Sequence, residues 1–162
     1  MEQTQVAVRR SRTDDLEGFE TFVAGLSVET STRRFFTPTT RLPSSSARLL
    51  IANDPTRGSF LAWHGERVLA HGCWAAVSPQ TAEMALVVGD GAQRHGIGRQ
   101  LTRALLRDLR DAGYRRMEMV VEPDNRAVLD LIVRSWPDSR LRSEDGLLTF
   151  VTPVPVQRSA AA

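Results

Sequence analysis

Residues 81–109, TAEMALVVGDGAQRHGIGRQLTRALLRDL, place three elements in immediate succession. The run from Glu83 to Val88 is apolar and β-branched enough to read as a strand. Gly89-Asp90-Gly91 supplies turn residues, and Gln93-Arg94-His95-Gly96-Ile97-Gly98 follows. From Gly98 onward, Leu101, Ala104, Leu105, Leu109 and Ala112 fall on one helical stripe. A strand that passes through a glycine-rich loop straight into a helix leaves several backbone N–H groups unpaired at the positive end of the helix dipole. Such an end suits a phosphate or diphosphate. The spacing is not G-x-G-x-x-G and no Gly-Lys-Ser/Thr is present, so neither the dinucleotide fingerprint nor the Walker loop fits.

Around this stretch the chain is regular. Gln5 to Arg10 reads as a first strand, and a helix from about Thr13 shows an apolar face of Leu16, Phe19, Phe22/Val23 and Leu26. A second helix covers Val28 to Phe36, with Arg33-Arg34 expected in solvent and Phe35-Phe36 in the core. A third runs from about Ser44 to Asn53, stopped by Asp54-Pro55. Ser59 to Trp63 and Val68 to Ala76 form a hairpin. After the long helix Gly113 is a fitting C-terminal cap and Arg116 to Val121 another strand. Pro123-Asp124-Asn125 opens a last helix with Val128, Leu129, Ile132 and Val133 as its apolar residues. Arg140 to Glu144 and Leu147 to Val151 flank Asp145-Gly146, a type I′ hairpin signal.

With 162 residues, 41% of them hydrophobic, the chain is expected to be one soluble domain over residues 1–152, with a disordered tail over 153–162. No apolar run approaches a membrane span and the N-terminus lacks a signal-peptide core, so a cytoplasmic setting is expected. The single Cys73 excludes an internal disulfide and a cysteine metal cluster. His64, His71 and His95 have no metal-ligand spacing, so no metal site is expected. All 21 basic residues are arginine. That reads either as composition bias or as an enzyme that acylates lysines escaping its own chemistry. The arginines are spread among 19 acidic residues, so a nucleic-acid partner is not expected.

Gln93-x-x-Gly96-x-Gly98 closely resembles the coenzyme-A diphosphate loop of the GNAT acyltransferase superfamily, Arg/Gln-x-x-Gly-x-Gly/Ala. The order β-α-α-α-β-β-β-α-β-α-β-β matches the GNAT fold, and the resemblance covers residues 5–152. It implies an α/β (α+β) architecture: a central twisted mixed sheet of six or seven strands flanked by about four or five helices. The most similar branch is that of Pat-type protein lysine acetyltransferases, whose Leu-Ser … Arg-Phe-Phe and Arg-Leu motifs are answered by Leu26-Ser27, Arg34-Phe35-Phe36 and Arg41-Leu42. Their Ala-Glu-x-Ala-x-Val-Val strand is answered by Ala82 to Val88.

The resemblance implies acetyl-CoA as cosubstrate and direct transfer to an amine, with a protein such as an acyl-CoA synthetase as one possible acceptor. A small-molecule amine or antibiotic, or a coenzyme-binding module with little catalysis, stays as an alternative. An ammonium with a pKa of about 10.4 must lose a proton before it attacks. Glu83, flanked by Ala82, Met84 and Ala85 and suited to this work if partly buried, is the first candidate base and matches the base of Pat-type enzymes; the alternative is a solvent-facing residue on a half-exposed strand. Glu118 and Glu122 are its rivals. The resemblance further implies backbone contacts to the pantetheine arm from Leu86, Val87 and Val88, between strands that splay apart. It implies a diphosphate cradle from Arg94, His95, Gly96, Ile97, Gly98 and Arg99. Asn125 matches a coenzyme-contacting Asn of the family, or is only a helix cap. Many relatives carry a Tyr seven residues after that Asn as an acid; here Ile132 stands there, and Tyr114 reads as packing. Cys73 is expected outside the site.

Overall fold

Alternating apolar and polar residues set the strands, and glycine, proline or Asx residues end them. The computed structural model describes residues 5–39 and 41–156. β1 (Ala7–Arg10) leads through a 3₁₀ turn into α1 (Leu16–Ala24), α2 (Val28–Phe35) and α3 (Ser44–Leu50). β2 (Arg57–His64), β3 (Arg67–Ser78) and β4 (Thr81–Val88) follow as a meander. α4 (Ile97–Asp111), β5 (Arg116–Val121), α5 (Arg126–Ser135), β6 (Arg140–Glu144) and β7 (Leu147–Pro153) complete the order. The strands lie as β1-β2-β3-β4-β5-β7-β6, and β4–β5 is the parallel pair. This is the mixed sheet that the resemblance implies, with seven strands and five α-helices among the described residues.

The two faces of the sheet are covered by different helices. On one face Ile97, Leu101, Leu105 and Leu109, spaced four apart along α4, are all buried against β2, β3 and β4. Asp108, on the same helix, takes a hydrogen bond from Trp74 Nε1 at 2.8 Å and an ion pair from Arg10, which fastens α4 to β1 and β3. Gly58 lies directly under this carboxylate and the Trp74 indole, where a Cβ has no room. On the other face Phe19, Phe22, Val23 and Leu26 of the α1 region pack with Leu61 and Val87. His71 is fully buried there, its Nε2 3.1 Å from both Ser59 Oγ and the Leu50 carbonyl.

Local signals are read faithfully at the turns. Gly113 has φ +87, with Gly113 N–H donating to the Arg110 carbonyl and Tyr114 N–H to the Leu109 carbonyl, the paired bonds of a Schellman cap. Asp145 and Gly146 both have positive φ, as a type I′ hairpin requires.

Other expectations are corrected by packing. α3 ends at Leu50 rather than Asn53, because the Asn53 amide is recruited to the sheet: it donates to the Ser11 carbonyl and accepts from Ser59 N–H. On α5, Ile132 is buried and Leu129 packs beside it, whereas Val128 and Val133 are exposed, since a helix meets the sheet along one seam. The disordered tail expected from Pro153 does not hold for its first residues. Pro153 closes β7, and Val154 is buried and donates its N–H to the Arg115 carbonyl. The remainder of that tail, 157–162, lies outside the described residues. Among the described residues, no helix is long and apolar enough to cross a membrane and no group of side chains is arranged to hold a metal ion.

Candidate active site

β4 and β5 are paired only at their beginnings. The parallel register runs Thr81↔Arg116, Ala82↔Met117 and Glu83↔Glu118, and there it stops. β4 stays paired with β3 as far as Val88↔Ala70, and β5 with β7 as far as Val121↔Leu148. The sheet therefore opens into a wedge beyond Glu83, with Leu86, Val87 and Val88 on one side. Paired with β3 on one side, this stretch has no partner strand on its β5-facing edge. Side chains alternate as expected: Met84 and Val88 join the α4 core, while Glu83 and Val87 point to the opposite face.

The loop at the end of β4 is held in a strained shape. Gln93 Nε2 donates to the Val88 carbonyl at 3.2 Å, tying the loop to its strand. Arg94 and Gly96 both have positive φ, at 62° and 78°, and Ile97 opens α4. Among the described residues, none of the N–H groups from Arg94 to Arg99 donates to a protein acceptor. Six consecutive amides without protein partners, at the positive end of a 15-residue helix, form the kind of concavity that suits an anion. The Ile97 side chain is buried in the core, so it offers this concavity only its backbone. Gly96 would meet nothing with an added Cβ and is needed for its backbone conformation. A Cβ on Gly98 would lie 3.6 Å from Val88 Cγ2, an ordinary contact. The motif's tolerance of Ala at its last position follows from that difference.

At the closed end of the wedge, a single cross-strand row reads Arg57, Ala75, Glu83, Glu118, Val151, Arg140. Glu83 is exposed rather than partly buried, because the wedge and the open face leave it facing solvent. Glu118 is held by Arg142 Nη2 at 3.0 Å.

Residues 22–134, most of the chain, including Glu83, Glu118 and the Gln93–Arg99 loop, match the acetyltransferase (GNAT) family. The chain belongs to the GNAT acetyltransferase family. A mycothiol acetyltransferase of Geodermatophilus obscurus is 40% identical over 90 residues, which cover 51% of this chain and 29% of that protein. The matched stretch is thus less than a third of that relative's length. The GNAT domain of S. lividans Pat superposes with a TM-score of 0.82 at 24% identity, covering 91% of this chain and 90% of that one. The acetyltransferase yncA of Salmonella typhimurium, solved with acetyl-CoA, gives 0.70 at 16% identity over 98% and 99% of the two chains. At these identities the two structures establish the GNAT fold.

Among the other candidate residues, Cys73 and Arg34 depart from expectation. Asn125 occupies the N-cap position of α5, just beyond β5, and its side chain makes no capping bond. Ile132 is buried in the α5 seam, and Tyr114 packs on Trp74 with ring centroids 5.1 Å apart. Arg94, His95 and Arg99 are exposed. Cys73, however, is not outside the site. It pairs with Ala85 and shares the Glu83 face. Burial pushes its thiol pKa up, the nearby Arg34 charge acts in the opposite direction and Glu83 adds to the rise. The Arg34-Phe35-Phe36 run is inverted at its two ends: Phe35 packs against the α1 core as expected, but Phe36 is 43% exposed in a left-handed helix end and Arg34 is half-buried with Nη2 3.3 Å from Cys73 Sγ.

Asp90 escaped the sequence reading, where it counted only as a turn residue. Its carboxylate accepts from Ser27 N–H at 3.0 Å and from the hydroxyls of Ser27 and Thr30, each at 2.7 Å. The first of these bonds, with help from the hydroxyls, outweighs partial desolvation and holds its pKa below the usual carboxylate range. The start of α2 is thereby fastened to the strand-to-helix loop. A sequence signal existed in Leu26-Ser27, but nothing local linked Ser27 to a residue 63 positions away.

Proposed function

We propose that this chain transfers an acetyl group from acetyl-CoA to an amine, with Glu83 as general base and a protein lysine as acceptor. The observation that carries the reading is the wedge: unpaired strand edges from Leu86 to Val88 lead from the partnerless Arg94–Arg99 amides to Glu83. These groups fit a diphosphate joined to an amide-bearing arm. The amides take the diphosphate oxygens, with Arg94 and Arg99 within reach of the surrounding charge. The Leu86–Val88 edge pairs the arm as an added strand would, and Asn125 closes the far side.

Acetyl-CoA supplies the activated acyl group. The chain's own work is to bind, orient and deprotonate. Glu83 takes the proton from the acceptor ammonium, directly or through a water, and leaves a neutral amine facing the wedge. A strand N–H at the closed end of the wedge is a fixed donor for charge developing on the acyl oxygen. With Ile132 buried where many relatives carry Tyr, the proton for the departing sulphur comes from solvent. The lysine acceptor is supported by the Leu26-Ser27 and Arg34-Phe35-Phe36 motifs. The likeness to a mycothiol acetyltransferase favours a small-molecule amine as the second reading.

The test is incubation with radiolabelled acetyl-CoA and a cell extract separated into protein and small-molecule fractions. Label on protein lysines supports the proposal, and label confined to small amines selects the second reading. Failure to label either fraction, with coenzyme A still bound, leaves a coenzyme-binding module.

A further inference from the structure

Several arginines stand on or beside the face that carries Glu83, and among them Arg33, Arg57 and Arg142 have carboxylate partners, while Arg140 lies exposed at the sheet edge. Arg33 pairs with Glu29 and Asp124, Arg57 with Asp54, and Arg142 with Glu118. Arg34 has no carboxylate partner among the described residues. Its Nε is buried without an acceptor, and its Nη2 contacts the Cys73 sulphur, a weak acceptor. It is nonetheless well fixed: the guanidinium lies 5.0 Å from the Phe35 ring centroid, and Asp90 clamps the start of its helix to the loop. A partly buried cation without a counter-ion is costly to a fold.

The position of this charge has chemical meaning. Cys73 pairs with Ala85 and Ala75 with Glu83, so Cys73 and Glu83 are diagonal neighbours on one face, about 7–8 Å apart. Arg34 touches that sulphur. An amine directed at Glu83 therefore has a bare guanidinium within the reach of a group on a neighbouring residue, since adjacent Cα atoms stand ~3.8 Å apart.

We propose that Arg34 reads a carboxylate on the acceptor, so that the preferred substrate is an amine with a carboxylate close by. Resting on the protein-lysine reading above, this means a lysine beside an aspartate or glutamate. The planar guanidinium matches a carboxylate in two-point geometry, which a neutral amide does not reproduce.

The test compares acetyl transfer to otherwise identical peptides in which the residue after lysine is Asp, Asn or Arg. Free L-lysine and L-lysinamide form a second pair. Wild type is expected to favour the Asp peptide over the Asn peptide by about tenfold or more in kcat/KM, with the Arg peptide poorest. Arg34→Gln brings the Asp and Asn peptides together, and Arg34→Lys restores part of the preference. Should no peptide react while lysine outpaces lysinamide in an Arg34-dependent way, the protein acceptor fails and the carboxylate reading stands. Should turnover be absent throughout, calorimetric binding of the Asp and Asn peptides to the coenzyme A-loaded protein must show the same Arg34-dependent preference. Equal treatment of Asp and Asn by wild type, in rate and in that binding, overturns the proposal.

Discussion

Glu83 and Glu118 face each other across the last rung of the β4–β5 ladder, at the point where the two strands part. Like charges directly opposite destabilise a sheet. Arg142 compensates one of them, through its 3.0 Å bond to Glu118. Glu83 has no ion pair among the described residues, and it stands free at the closed end of the wedge. The rung thus separates a carboxylate engaged in structure from one open to a substrate proton.

From this asymmetry, Glu83→Gln is expected to lower kcat by about 10²- to 10⁴-fold, the usual contribution of a general base. Coenzyme A affinity, measured by calorimetry, should stay within error. Glu118→Gln should reduce the rate far less. A wild-type rate in Glu83→Gln would remove it as the base.

The two loop glycines should answer differently to alanine. Gly96 has φ +78 with open space around a Cβ, so Gly96→Ala meets only the backbone penalty, about 1–2 kcal/mol, together with weaker coenzyme A binding as the amides turn. Gly98 lies in the first turn of α4 with ordinary contacts to Val88 and Leu86. Gly98→Ala should leave stability unchanged or raise it by up to about 1 kcal/mol. Thermal denaturation with and without coenzyme A reads both.

Removal of the Asp90 clamp should loosen α2. Asp90→Ala is expected to cost about 1 kcal/mol and to speed amide exchange at Ser27, whose N–H loses its acceptor. In the wild type the clamp needs the ionised carboxylate. Because its folded pKa is lowered, the contribution is present above about pH 4 and is lost as pH falls through that lowered value. Exchange rates at Ser27 that are the same in variant and wild type would contradict this.

His71 should govern the onset of acid unfolding. Burial first, and then Arg34, push its pKa from 6.5 down to about 3. Between those values the unfolded chain binds a proton that the fold refuses. Stability is therefore full above about pH 6.5 and declines by up to ~1.4 kcal/mol per pH unit toward pH 3. Urea unfolding over that range should show a shallower decline for His71→Gln; equal slopes would assign the loss to other groups.

Much of the architecture could be read directly because its signals are local. The strand, loop and helix of residues 81–109, the Schellman glycine Gly113 and the Asp145-Gly146 turn each depend on the dihedral preferences and apolar spacing of a few adjacent residues. The place of Glu83 on the face opposite Met84 and Val88 follows from strand alternation alone. The termination of α3 and the half-burial of α5 were not legible in this way. They depend on what the Asn53 amide and the α5 seam meet across the sheet.

The chain's one-dimensional pattern was enough to specify a coenzyme-type loop between a strand and a helix, and to nominate Glu83. Only folding decided that β4 and β5 separate just beyond that residue, that Arg142 occupies its neighbour, and that Arg34 and Cys73 stand beside it. Those relations join residues tens of positions apart, and they arise from strand order and register, which no short window of sequence contains.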